Sequence, residues 1–437
     1  MLQTRYTIFY QTMNYKLYHS SEIVGSTTLD FDHSVGFHDI RPFNKKNNNL
    51  IPVHRYPLNT LGFKNKNNHK VDICLWNFLT SKIEKIDETN LWSWEQGARL
   101  QWYNDTNLIY NNMNSQKELS TIYNITNHKK NYLDECIYSL NNENLMLNVN
   151  FSRLWKLWKS YGYNNLKYEP NSSNLKKPKE DGIFLYDINH KKKLLLSIET
   201  AVKLCKLDSI DKEFFLCHPT FNPSGSKFLS ILRYFSDSGA LISYLICTDI
   251  KNRSHKIIAR EKVSHFEWIS DNKIIVWCRN LNENIVKLRN NYFLEKKIFP
   301  ILRKVISFSN INLRNKILSD DYHIINVDNP SKPIRLNNKL LNVDGHPQIS
   351  PDKQLLITDT YADDKGYLKL LLFNIQTNKV YKIGEFKIAN YLKKNNLKYD
   401  LHPRWDNTGK LINFDSSHLG SRQTFVLNIE QLISKIN

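Results

Sequence analysis

The sequence predicts an all-β chain folded as a seven-bladed β-propeller, with six or eight blades as the neighbouring counts. Three observations carry this. Short apolar runs separated by polar turns recur, as in KFLSILRYF followed by ALISYLICTDI, and helical periodicity is scarce. Segments led by a histidine repeat: HPTFNPSGSKFLS from His218, HPQISPDKQLLIT from His346 and HPRWDNTGKLINF from His402. A fourth, HFEWISDNKIIVW from His265, keeps the pattern without the proline. Units end in motifs such as ICTDIKNRS or LFNIQTNKV, where an outer strand meets an Asx-type turn. A four-stranded unit of this kind cannot bury both faces alone, whereas packing units around an axis does so.

The units start near Gly36, Gly97, Tyr138, His218, His265, His346 and His402. The last is short, because the chain nearly stops after its third strand. An N-terminal strand, Tyr6–Gln11 or Lys16–His19, is therefore expected to complete it and close the ring. Residues 1–437 read as one propeller domain, with the segment 282–321 as an insertion that mixes basic and apolar residues.

Composition narrows the class. The chain has 437 residues and a formal net charge of +19. Its 9 Trp, 23 Tyr and 21 Phe are too much aromatic surface for a disordered chain. No run of about 18 apolar residues is present, so no membrane span is expected. The start shows no basic-then-apolar leader. Abundant Asn, Lys and Ile, with only 13 Gly and 13 Pro, fit the drift of an AT-rich genome. The lysines are dispersed rather than gathered in an Arg-rich stripe, so a nucleic-acid partner is not favoured over an acidic glycan. The six cysteines form no CxxC pair and sit in runs such as DICLW and IIVWCR. They read as reduced and buried, which agrees with a cytoplasmic location.

Candidate chemistry follows the repeat. His218, His346 and His402 occupy equivalent positions, and equivalent positions in a propeller face one central opening. Three imidazoles there suit Zn, Mn or Fe, while a His-Pro step that only shapes a turn is the alternative. Other polar residues share the register. VGFHDIRPFN supplies His38 and Arg41, and VHRYP supplies His54. WEQGARLQW supplies Gln96 and Arg99, and FSRLWKLWKSYGY supplies Arg153 and Tyr163. TDTYADD supplies Asp359 and Tyr361, and FDSSHLGSRQ supplies His418 and Arg422. Aromatic faces with Arg donors suit a sugar ring that carries a carboxylate. Phosphate-loop, dinucleotide, nucleophile-elbow and WD signatures are absent from the sequence.

The segments HPTFNPSGSKFLSILRY, GHPQISPDKQLLITDTY and DLHPRWDNTGKLINFDSSHLGSRQ, with GFHDIRPFN and WEQGARLQW, resemble the oligogalacturonide lyase family and its TolB-like propeller relatives. The resemblance extends to relatives encoded beside surface-polysaccharide genes. It implies a seven-bladed propeller holding a divalent metal, manganese first and zinc or iron as alternatives. The activity implied is β-elimination on uronic-acid-containing oligosaccharides. His218, His346 and His402 would be the metal ligands. Arg404 or Arg153 would neutralise the substrate carboxylate, and His418 or His38 would be the base. Arg41, His54, Gln96, Arg99, Tyr163, Asp359, Tyr361 and Arg422 would line the substrate. The lyases carry a Gln beside two closely spaced His, where this chain has only His346 with Gln348 after it. A propeller that binds glycan or protein without catalysis, in surface-polysaccharide assembly, shares the same fold and face.

Overall fold

The structure, a computed structural model, describes residues 14–60, 69–114, 117–142, 145–164, 166, 175–279 and 320–436. Among these, the strands form seven antiparallel sheets in a propeller. The blades run through 32–89, 101–133, 139–197, 215–259, 263–335, 348–387 and 404–428, and are numbered I to VII here. Each inner strand begins close to a start expected from the sequence.

These sheets form because their strands are apolar on both faces. Lys227–Phe235 and Leu241–Asp249 pair over nine residues, and most of their side chains are buried. The buried residues then knit neighbouring blades together. Ile275, Trp277 and Tyr322 of blade V pack with Ile349, Leu356 and Phe373 of blade VI. Leu355, Ile357 and Phe386 of blade VI meet Trp405, Ile412 and Phe425 of blade VII. Val426 of blade VII joins Ile51, Val53 and Trp76 of blade I. Each fully buried side chain of this size contributes about 1.5–3 kcal/mol, and the seams carry that gain around the ring.

The many asparagines and aspartates have structural work at the turns. Asn104 Oδ1 accepts from the backbone N–H of Thr106 and Asn107, and Asn124 Oδ1 from Thr126 and Asn127. Asp406 Oδ1 accepts from Lys410 and Leu411. These are the side-chain turns that reverse the chain between strands.

Ring closure differs from expectation in its strand. Glu22–Ser26 pairs antiparallel with Gln423–Asn428 and supplies the outer strand of blade VII. The expected Lys16–His19 region instead contributes Tyr15–Leu17 as a fifth strand on the outer edge of blade VI. The alternative, Tyr6–Gln11, lies outside the described residues. So does the expected insertion, except for Asp320 and Asp321, which open the third strand of blade V. No helix among the described residues is long and apolar enough to cross a membrane. All six cysteines are free and buried.

Candidate functional site: a histidine chamber above a plugged channel

The site is built on a connection in blade I. After Asp32–Ser34 the chain does not turn directly into Leu50–Tyr56. Gly36–Arg41 crosses the axis of the ring first, and residues of four other blades grip it. The Gly36 carbonyl accepts from His402 Nδ1 at 3.1 Å and from Arg404 Nη2. The His38 carbonyl accepts from Gln348 Nε2 at 2.8 Å. Asp39 is bridged by both terminal nitrogens of Arg99, each at 2.9 Å. Arg41 Nη2 reaches Glu267 at 2.9 Å. Gly36 sits at φ +118°, and an added Cβ would stand 3.0 Å from the Gln96 carbonyl, so glycine is required there.

The Phe37 ring fills the axis. It stacks on His218 at 5.1 Å between centroids and lies edge-on to His402 at 5.1 Å. On one side of it, four imidazoles gather. His346 is 4.1 Å from His265, 4.3 Å from His402 and 5.3 Å from His38. Their ring tautomers follow from their partners. His346 Nδ1 faces Asp359 Oδ1 at 2.8 Å, and His402 Nδ1 faces the Gly36 carbonyl. His38 Nδ1 faces the Pro347 carbonyl at 3.2 Å, and His265 Nδ1 faces Asp344 at 3.1 Å. The partners of His346, His402 and His38 only accept, so in the neutral ring each of these Nδ1 atoms carries the proton and each Nε2 keeps its lone pair, whereas His265 Nδ1 also has the Ser264 hydroxyl at 3.0 Å. Burial holds His38, His346 and His402 well below the ordinary histidine value, which keeps them neutral.

Carboxyls crowd the same space. One ligand atom each from His346, Asp400 and His402 lie within 4.8 Å of one another. Donors around a single tetrahedral ion at 2.0–2.2 Å stand about 3.3–3.6 Å apart, so the set must close by up to about 1 Å to hold one. His402 Nε2 is buried with no hydrogen-bond partner. Asp359 also accepts the backbone N–H of His346 and His402, so it holds the His346 ring and the His402 backbone together. Burial raises the Asp359 carboxyl to about 6 and lifts Asp400 well above its usual range. His402 and His218 sit at positive φ, +43° and +53°, a strained backbone that costs about 1–3 kcal/mol each and aims their rings inward.

His218 lies across Phe37 and outside the His346–Asp400–His402 group. Its Nδ1 faces the Tyr138 hydroxyl at 2.8 Å, and Arg233 Nη1 stands 3.4 Å from its Nε2. The helix Phe151–Leu157, capped by Asn150, and the following Lys159–Tyr161 turn bring Tyr161 to 5.2 Å from this ring. Tyr361 lines the chamber 5.9 Å from His346, with Lys398 Nζ 4.8 Å over its ring. Gln96 joins the His218 side, donating to the Tyr138 hydroxyl at 2.6 Å.

Several expected site residues are committed elsewhere. Arg404 is fully buried and spends its guanidinium on Gly36, Phe37, Asn413 and Asp415. Arg153 ties the carbonyls of Phe214 and Leu175 at 2.7 and 2.6 Å. His418 is enclosed by Tyr15 and Phe386 of blade VI and Phe425 of blade VII, away from the chamber. His54 bridges the Ser34 carbonyl and the Ala98 N–H. Tyr163 accepts from Asn111 and stacks on Phe151. Arg422 is caged by Trp94, Tyr56 and Tyr399, with its carbon 3.9 Å from the Trp94 centroid. Arg99 and Arg41 hold the underside of the crossing segment.

Sequence reasoning missed Asp400, Asp344, Arg233 and the role of His265. A signal for the two aspartates was present: Asp-x-His-Pro occurs at Asp344–Pro347 and Asp400–Pro403, whereas Leu216 stands in that place before His218.

No protein-family model matches the chain, and the search of curated proteins finds no match. Among solved structures, the chain is similar to an oligogalacturonate lyase in complex with manganese, at 10% identity and TM-score 0.38, covering 95% of this chain and 96% of that one. It is similar to the oligogalacturonate lyase of Vibrio parahaemolyticus at 8% identity and TM-score 0.39, covering 95% and 96%. It is also similar to TolB from Acinetobacter baumannii at 10% identity and TM-score 0.36, covering 82% and 76%. Fold and site together define a β-propeller with a histidine-lined central chamber.

Proposed function

We propose that this propeller is a carbohydrate-active enzyme that holds a divalent cation at His346, Asp400 and His402 and cleaves uronic-acid-containing oligosaccharides by β-elimination. The observation that carries the reading is the donor group itself: three donors within 4.8 Å, the Nδ1 of both histidines already occupied, and His402 Nε2 buried without a partner. That chemistry fits Mn or Zn, and outer partners such as Asp359 orient ligands of this kind. When bound, the cation supplies Lewis-acid stabilisation of the charge that develops on the substrate carboxylate.

The remaining steps fall to the chain. Arg233, with Nε buried and unpartnered beside His218, neutralises the carboxylate in place of Arg404 and Arg153. His38 takes the proton beside the carboxylate through Nε2, its Nδ1–H held by the Pro347 carbonyl. The C4–O4 bond then breaks with its electron pair on the departing sugar oxygen, which is protonated from water, and a C4=C5 double bond forms. Tyr361 and Tyr161 offer ring surface to the sugar, and Lys398 adds charge at the mouth. Free, buried thiols support action in a reducing compartment, on imported or biosynthetic oligosaccharides.

One observation favours a second reading, a glycan- or protein-binding propeller without catalysis. The Gln348 carboxamide is spent on the His38 carbonyl and the Trp405 N–H, so the Gln of the lyase pattern has no ligand role here. Elemental analysis of the purified protein, with His402→Ala alongside, separates the two. A stoichiometric metal lost in the variant, with oligogalacturonides gaining the ultraviolet absorbance of an unsaturated uronide, is expected. No metal uptake on supplying manganese, and no such absorbance, would establish the binding propeller.

A further inference from the structure

The other end of the channel holds a second feature that the chamber does not use. Beneath Gly36–Arg41 the ring opens into a cavity of about 400 Å³, lined at the far ends of the inner strands. This lies within the range of small-ligand sites. Its walls combine ring surface with hydrogen-bond donors. Trp102 and Trp268 give their indole N–H groups to the Pro42 and Thr220 carbonyls, at 2.7 and 3.2 Å. What they leave for a ligand is apolar ring surface, to which Phe221 adds.

The charged groups divide into spent and available. Arg99 is committed to Asp39. The Arg41 side chain is 50% exposed, and its contacts are Glu267 and a long 3.4 Å bond to the Ile349 carbonyl. Lys353 lines the same cavity with no acid in ion-pair reach among the described residues. Asn141 and the Gln101 carboxamide oxygen line it without a protein partner among the described residues. Apolar ring faces, a guanidinium, an uncompensated ammonium and a carboxamide together suit a ring compound bearing an anion.

We propose that this cavity is a second ligand site, independent of the histidine chamber, that takes an anionic monosaccharide. The sugar ring lies against Trp268 and Trp102, and its anion meets Arg41 and Lys353. The inference stands whether or not the chamber is catalytic.

Calorimetric titration of the full chain, in the presence of a chelator, tests it with D-glucuronate, glucose 6-phosphate and glucose as probes. Roughly millimolar binding of an anionic sugar is expected, with glucose about tenfold weaker. Arg41→Gln should weaken binding about tenfold, and the surface change Lys353→Gln roughly threefold. Asp400→Asn, which removes a chamber donor with no bond to Gly36–Arg41, should leave binding unchanged. Glucuronate and the phosphate distinguish the source of the anion, and binding of either supports the site. Equal affinity for glucose, no heat with any probe at about 50 mM, or binding lost in Asp400→Asn but kept in Lys353→Gln would overturn it. The exposed Lys353 variant keeps the test valid if Arg41→Gln does not fold.

Discussion

The two ends of the channel are made by consecutive residues and have opposite chemistry. His38 faces a chamber of neutral imidazoles and crowded carboxyls, and Asp39 and Arg41 face a cavity of paired and unpaired cations. Above, the unused groups are lone pairs and acids, which call for a cation. Below, the unused groups include the Lys353 ammonium, which calls for an anion, beside the carboxamides of Asn141 and Gln101, which suit hydroxyls. The difference arises from how the crossing segment is held. Its carbonyls are gripped by imidazole, amide and guanidinium N–H groups, with Phe37 and His38 packed among the histidines and Asp39 and Arg41 lining the cavity.

The largest expected effect breaks both ends at once. Arg404→Ala leaves Asp415 buried without its cation and removes donors from the Gly36 and Phe37 carbonyls. Chemical denaturation should report a loss of about 3–5 kcal/mol, and both metal and sugar binding should fall. If the variant loses stability but one end binds normally, the segment is not what couples them.

A smaller change separates the ends. Asp359→Asn weakens the hold on His346 Nδ1 and on the His402 backbone N–H. Metal affinity should drop about 10–100-fold in a competitive chelator titration, with glucuronate binding unchanged. A parallel loss at the lower cavity would show that the two sites are one system.

The third prediction concerns acid and sharpens the contrast between neutral histidines with and without a site. Burial lowers His418 to about 3, and its only hydrogen-bond partner shown is Ser416. The folded state thus favours the neutral ring, while the unfolded chain takes up a proton below about pH 6.5. Stability is full above that value and falls as pH drops toward the folded value. Between pH 7 and pH 5 this one ring removes about 2 kcal/mol. His418→Phe, matching the aromatic pocket, should abolish that part of the acid sensitivity in pH-resolved melting curves. An unchanged pH slope would show that the ring does not carry it.

Much of the fold was legible because each blade announces itself locally. The Asx turns and the His-Pro steps mark the inner strands, so seven starts follow from the sequence. The closing strand was not legible. Glu22–Ser26 is short and only partly buried, with Gly25 at a register shift, and only its pairing with Gln423–Asn428 reveals its role. The candidate site was legible in part. His346 and His402 converge, but His218, with the same His-Pro signature, meets Tyr138 and Arg233 instead. Arginines misled most. Arg153 and Arg404 carry the donors a carboxylate needs, yet backbone carbonyls from other blades and loops claim those donors, and a sequence does not show which carbonyls will arrive there. Asp400 was marked by Asp-x-His-Pro, a pattern whose meaning depends on knowing that Asp359 already holds the His346 ring and the His402 backbone.

The closure of the ring also sets an order of events during synthesis. Thr27 and Gln423 are bonded side chain to side chain although 396 positions separate them. A ribosome releases the first partner long before the second exists. For that interval the outer strand of blade VII has no sheet to join, and an unpaired strand is an invitation to foreign pairing. Its short length and the register shift at Gly25 therefore serve a chain that must wait, and long-range closure of this kind makes the final step the slow one.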